Sequence, residues 1–185
     1  MNGLPADAGP VLTGVARHSI AQRLRVSSPT TALPDWLDAP GASFVTLTQQ
    51  DHLRGCIGSL QAWRPLGDDV ADNARAAAFR DPRFTPLRAD ELGVIAIEVS
   101  VLSAPEPMPF TSREDALAQL RPGTDGVIVS ARRSRATFLP QVWDELPNPE
   151  QFVRHLMRKA GLSPTYWGDD VSISRYTVTA FHDDA

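Results

Sequence analysis

The chain has a single cysteine, Cys56, and a single lysine, Lys159. One thiol excludes an internal disulfide framework and suits a reducing compartment, so a cytoplasmic location is expected. There is no Cys-x-x-Cys, no His-Glu-x-x-His, no Walker loop and no Gly-x-Gly-x-x-Gly. The usual signatures of zinc and nucleotide binding are therefore missing, and no metal or cofactor is expected. No run approaches the roughly 20 apolar residues of a membrane span. The first ten residues lack the basic start and apolar core of a secretory signal. Net charge is −4, which argues against a nucleic-acid-binding face. The basic run Arg132-Arg133-Ser134-Arg135 reads as a solvated turn. The preference for arginine over lysine reads as the mark of a GC-rich genome, expected to be bacterial.

What is present is enough for a core. The chain has 185 residues, 42% of them hydrophobic, which suits one domain or a domain with a smaller lobe. Residues 1–10 read as a flexible tail and residues 11–185 as a single domain. Val11 to Val26 has helical spacing, with Leu12, Val15, Ala16, Ile20 and Leu24 on or near one face and Arg17, His18 and Arg23 turned mostly to solvent. Ser28 to Gly41 is a Pro-rich connector whose Trp36 and Leu37 are expected to plug into the core. Ser43 to Thr48 and Leu53 to Ile57 form a hairpin through a turn at Gln49 to His52. Gly67 to Phe79 is helical and ends at Asp81-Pro82, with Phe84 as a core anchor.

Gly93 to Leu102 is the clearest strand, its odd positions Ile95, Ile97, Val99 and Val101 forming an apolar face. The prolines of Ala104 to Phe110 exclude a regular element there. Thr111 or Ser112 caps a short helix, and Val127 to Ser130 pairs with Arg135 to Leu139. Asn148-Pro149-Glu150 starts a helix that Gly161 stops. Val171 to Phe181 is a closing strand. Helices and strands mix without strict alternation, so the expected fold is α+β with a mixed, mainly antiparallel sheet and flanking helices.

One stretch carries unusual chemistry: Leu53-Arg54-Gly55-Cys56-Ile57-Gly58-Ser59-Leu60. Pleating puts Leu53, Gly55 and Ile57 on a core face and His52, Arg54 and Cys56 on the other. A guanidinium needs a partner if buried, so the second face reads as the floor of a cleft. Gly55 and Gly58 leave room for a ligand or another backbone. Cys56 is either a small buried hydrophobe or a nucleophile helped by Arg54. Glu98, mid-strand in an apolar segment, is either the ion-pair partner of Arg54 or Arg83 or a general acid or base. Asp81 reads as a turn cap, and Arg83 as that cap's neighbour or half of an anion clamp with Arg54. Thr137 and Gln141 are expected to line the same cleft with neutral hydrogen-bonding groups. Trp143, Phe152 and Trp167 read as packing.

Leu53-Arg54-Gly55-Cys56-Ile57-Gly58 resembles the signature of the AMMECR domain family, also called AmmeMemoRadiSam system protein A. The likeness continues through Asn73-Ala74, Asp81-Pro82-Arg83-Phe84, Glu98 to Ser103, Ala136 to Trp143, and Lys159 to Leu162 with Trp167. It covers about Val11 to Phe181. Met157 departs from it, since many members carry a cysteine there. The resemblance implies a larger and a smaller lobe with a groove between them. It also implies work alongside Memo-like and radical-SAM proteins. The family's activity is not established. Two expectations follow: a small enzyme or ligand-binding protein acting on a small molecule with an anionic group, and a non-catalytic interaction module in the same pathway.

Overall fold

A computed structural model describes residues 4–29 and 33–183. The first three residues of the expected tail and the middle of the Pro-rich connector lie outside them. The chain divides into two compact units, Met1–Ser103 with Thr179–Ala185, and Ala104–Val178.

In the first unit, helix α1 runs Ala8–Leu24 and stops at Arg25 in the left-handed conformation. It starts before Val11 because Ala8, Leu12, Ala16 and Ile20 make one fully buried stripe. Arg17 departs from the solvated-face expectation. Its guanidinium donates to the Leu92 carbonyl at 2.7 Å and the Ile95 carbonyl at 3.0 Å, and it pairs with Asp183. A 3-10 turn, Asp35–Asp38, buries Leu37 and packs Trp36 on the core.

Strands β1 (Pro40–Gln49) and β2 (His52–Gly58) form the expected hairpin. A short β3 (Arg64–Pro65) pairs with the start of β1 and leads into helix α2 (Leu66–Phe79). Strand β4 (Ile95–Leu102) and the late strand β9 (Val178–His182) complete a sheet in the order β2-β1-β4-β9. Its inner face carries Val45, Leu47, Ile95, Ile97, Val99 and Val101, all buried with the stripes of α1 and α2. Phe84 is only half-buried, and the nearby buried anchor is Leu87.

The second unit holds β5 (Glu106–Met108), α3 (Arg113–Gln119), β6 (Gly126–Ala131), β7 (Ser134–Phe138), α4 (Pro149–Lys159) and β8 (Ser172–Tyr176). The sheet order is β5-β8-β6-β7. Strand β5 lies where the prolines were expected to forbid regular structure. It is an edge strand, and an edge tolerates the missing N–H of Pro107. The expected closing strand is two strands in two sheets, β8 here and β9 in the first unit. Ser112 caps α3 and Asn148 caps α4. Trp143 stacks on fully buried Phe152 at 3.7 Å, and Met157 is buried in the same core. Helices with two antiparallel sheets make this an α+β fold.

Candidate functional site

The β1–β2 turn is two residues long. Both Gln50 (φ 51°) and Asp51 (φ 61°) are left-handed, as a twisted two-residue hairpin requires. The turn pairs Gln49 with His52 and Thr48 with Leu53. Then the register slips, so that Leu47 faces Gly55 and Thr46 faces Cys56. Arg54 is the extra residue of a bulge. The slip moves Leu53 to the face of Thr48 and Thr46, where it is 42% exposed, and not to the expected core face. Gly55 and Ile57 do face inward.

The bulge takes Arg54 out of the regular alternation, and its side chain finds partners in the segment after α2. Its Nε and Nη2 donate to Glu91 at 2.9 and 3.1 Å, and Nη1 donates to the Thr85 carbonyl at 2.8 Å. This double hydrogen bond holds the Glu91 carboxyl below its ordinary range. Arg54 therefore pairs with Glu91, not with Glu98, and each of its three nitrogens donates to a partner within the protein. The two arginines of the expected clamp thus have separate carboxylate partners, Glu91 for Arg54 and Asp81 for Arg83.

Strand β2 is an edge, and the Asp81 turn covers it at one residue. Asp81 Oδ2 accepts the Cys56 amide at 2.9 Å, while Arg83 Nη2 donates to the Cys56 carbonyl at 3.2 Å. Arg83 also grips Asp81 through Nε and Nη2 at 2.9 and 2.7 Å. The buried Asp81 carboxyl is held well below the usual carboxylate range, first by Arg83 and then by the Cys56 amide. The Arg83 side chain is 53% exposed.

The outer face of the sheet holds a row of functional groups. Thr46 lies opposite Cys56 on one side and Glu98 on the other. The Thr46 hydroxyl donates to Cys56 Sγ at 3.4 Å. Ser100 donates to Glu98 Oε1 at 2.9 Å, and His182 Nδ1 on β9 stands 3.6 Å from Glu98 Oε2. Cys56 and Glu98 thus share a face, two strand spacings or about 9.6 Å apart, with Thr46 between them. Neither Arg54 nor Arg83 partners Glu98 among the described residues. Thr46 and His182 had no expected role. Thr46 faces Cys56 only because of the bulge, and His182 reaches the row only because the last strand crosses to this sheet.

The space beside the two glycines is already filled. A Cβ on Gly55 would fall 2.2 Å from the Ala77 carbonyl oxygen of α2, and one on Gly58 would fall 2.2 Å from the Phe44 ring. Another part of the protein makes the close approach, not a ligand. Asn73 serves the fold as well: with buried Asp69 it holds the Ser43 backbone, and Arg64 closes Asp69 from outside. Thr137 and Gln141 belong to the second unit. Thr137 donates to the Val127 carbonyl and meets Tyr176 Oη, both at 3.0 Å. Gln141 is exposed on a 3-10 turn, Pro140–Asp144. No group of three or more His, Cys, Asp or Glu placed to hold a metal ion occurs among the described residues. Among them no helix is long and apolar enough to cross a membrane.

The AMMECR1 family model matches residues 13–181. The chain belongs to that family. A protein of Methanothermobacter thermautotrophicus is 37% identical, the match covering 98% of this chain and 97% of that one. One from Saccharolobus solfataricus is 39% identical over 94% of this chain and 80% of its own. The crystal structure of the uncharacterized protein PH0010 from Pyrococcus horikoshii is similar with a TM-score of 0.78 at 30% identity, covering 98% and 94% of the two chains. These organisms are archaea, which weakens the expectation of a bacterial source. As an AMMECR1 member, the chain joins relatives whose names state no activity.

Proposed function

We propose that this AMMECR1 protein is a small cytoplasmic enzyme or ligand-binding protein, and that its working surface is the outer face of the first sheet around Cys56. The carrying observation is the row Cys56–Thr46–Glu98, in which a hydroxyl donates to a half-buried thiol and a carboxylate follows on the same face. Strands of this kind commonly spend such positions on threonine, valine or isoleucine; a thiol and a carboxylate one strand apart from a shared hydroxyl suit chemistry better than packing. In the catalytic form of this reading, the Cys56 sulfur adds to a carbonyl carbon of the ligand as the C=O π pair moves to oxygen, and the thiol proton passes through the Thr46 hydroxyl to Glu98 and returns to that oxygen. Arg83 holds an anionic group of the ligand. The test is the rate of Cys56 alkylation against pH, unambiguous because the chain has one cysteine. A rate already at its plateau near neutrality supports the reading. A rate that climbs only toward the ordinary thiol value of about 8.5 opposes it.

A second reading has its own observation. Leu53, Leu60 and Trp63 are 42%, 43% and 70% exposed on β2 and the loop after it, and an exposed tryptophan is a frequent interface anchor. They suit a docking surface for Memo-like or radical-SAM partners. Co-purification that Trp63→Ala abolishes would support this reading, and the absence of a complex at micromolar concentrations would count against it.

A further inference from the structure

The row on the outer face is electrically polarised from one end to the other. At the open edge stands Arg83, whose guanidinium reaches the Cys56 carbonyl and uses Nε and Nη2 on Asp81, while the side chain stays half-exposed. Asp81, its counter-charge, is buried behind it. Moving across the strands come the thiol of Cys56, the hydroxyl of Thr46 and the carboxylate of Glu98. No arginine or lysine neutralises Glu98 among the described residues; its partners are the Ser100 hydroxyl and the exposed imidazole of His182. A cation thus marks one end and an anion the other, with a nucleophile-bearing, uncharged stretch between.

We infer that the ligand of this surface is itself dipolar: a short peptide or an amino-acid derivative of similar length, lying across the strands with its anionic end on Arg83 and its ammonium end on Glu98. This rests on the reading that the Cys56 face is the working surface. The length follows from the sheet. Arg83 stands one spacing outside β2 and Glu98 two spacings inside it, about 14 Å in all. Allowing about 3 Å for a hydrogen bond at each end, the ligand must span about 8 to 10 Å. An extended tripeptide spans about 10 Å. A free single amino acid is too short to reach both charges. The orientation also places the middle of the ligand over Cys56 and Thr46, where a carbonyl would meet the sulfur. Charge at both ends gives direction as well as affinity, because reversing the ligand would set like against like at each end.

The test reads protection of Cys56 from iodoacetamide by triglycine, N-acetyltriglycine, triglycinamide and suberate. Alkylation of the free protein comes first. A thiol that iodoacetamide does not reach defeats the underlying reading, whatever the peptides do. If the thiol is reached, triglycine is expected to protect it, and each capped form is expected to need a concentration about tenfold higher, the equivalent of one lost ion pair of about 1.4 kcal/mol. Glu98→Gln should make triglycine and N-acetyltriglycine equal while the preference over triglycinamide persists. Glu98→Lys should transfer the preference to suberate, a dianion of matching length. A melting curve of each variant verifies that it is folded, and Ser100 still has an acceptor in Glu98→Gln. Triglycine that fails to protect, or capping that changes nothing, overturns the dipolar ligand while leaving the reactive surface standing.

Discussion

Asp81 and Cys56 are joined by a hydrogen bond of 2.9 Å from the cysteine amide to the carboxylate. With Arg83 on the Cys56 carbonyl, an ion pair occupies the place of a neighbouring strand at one residue. Asp81→Ala leaves a backbone N–H and a guanidinium without their acceptor, and should lower stability by about 2 to 3 kcal/mol. Urea denaturation would measure it. A loss within experimental error would mean that water replaces the carboxylate at no cost.

The same pair sets an acid limit. The folded Asp81 carboxyl titrates below its ordinary value, and so does Glu91 beside Arg54. A depressed carboxyl contributes stability that is present above its unfolded value of about 3.9 for Asp. That contribution is lost as pH falls from there through the folded value. The gap in stability between the native protein and Asp81→Asn should therefore be full at neutral pH and shrink below about pH 4. A gap that stays constant down to the acid transition would contradict the sign.

Gly55→Ala and Gly58→Ala should part company. At Gly55 the new methyl meets a backbone carbonyl of α2, which can retreat only if the helix moves, so a loss above about 2 kcal/mol is expected. At Gly58 it meets the Phe44 side chain, which can change rotamer, so the loss should be smaller. Paired denaturation curves decide it, and equal losses would mean that the helix yields as easily as the ring.

Asp51→Gly should raise stability by about 0.5 to 1 kcal/mol, since Asp51 holds a left-handed φ of 61° that glycine adopts without strain. Thermal melts would show it as a higher midpoint. An unchanged or lower one would mean that glycine's freedom in the unfolded chain offsets the relief.

Arg54→Ala should reduce stability by about 2 to 3 kcal/mol through the loss of the shielded Glu91 pair, yet leave the alkylation rate of Cys56 within about twofold of native. The sign of failure would be a large change in that rate, which would return Arg54 to the site.

Much of this fold could be read from periodicity and caps. The stripe of α1, the alternation of β4, the Asn148-Pro149 start and the hairpin of β6 and β7 all stand where short-range rules put them. The site was harder. A two-residue turn at Gln50 and Asp51 joins odd positions to even ones, yet the apolar residues Val45, Leu47 and Ile57 are all odd-numbered. Only an extra residue reconciles the two, and Arg54 is that residue. The clash of parity shows only when the two strands are compared, because each alone alternates correctly. Glu91 as partner of Arg54, and His182 beside Glu98, depend on long-range chain crossings that leave no local trace. The same holds for Thr177, where an apparently continuous strand passes from one sheet to the other.

That passage has a consequence for biosynthesis. Strand β9 emerges from the ribosome only after the entire second unit has been made, and until then β4 presents an unpaired edge with the Ile97 amide and carbonyl that Asp183 later engages. The first unit, though started first, is finished last. A nascent chain paused within the second unit carries an open β edge, the kind of surface that chaperones hold and that neighbouring nascent chains on a polysome could pair with.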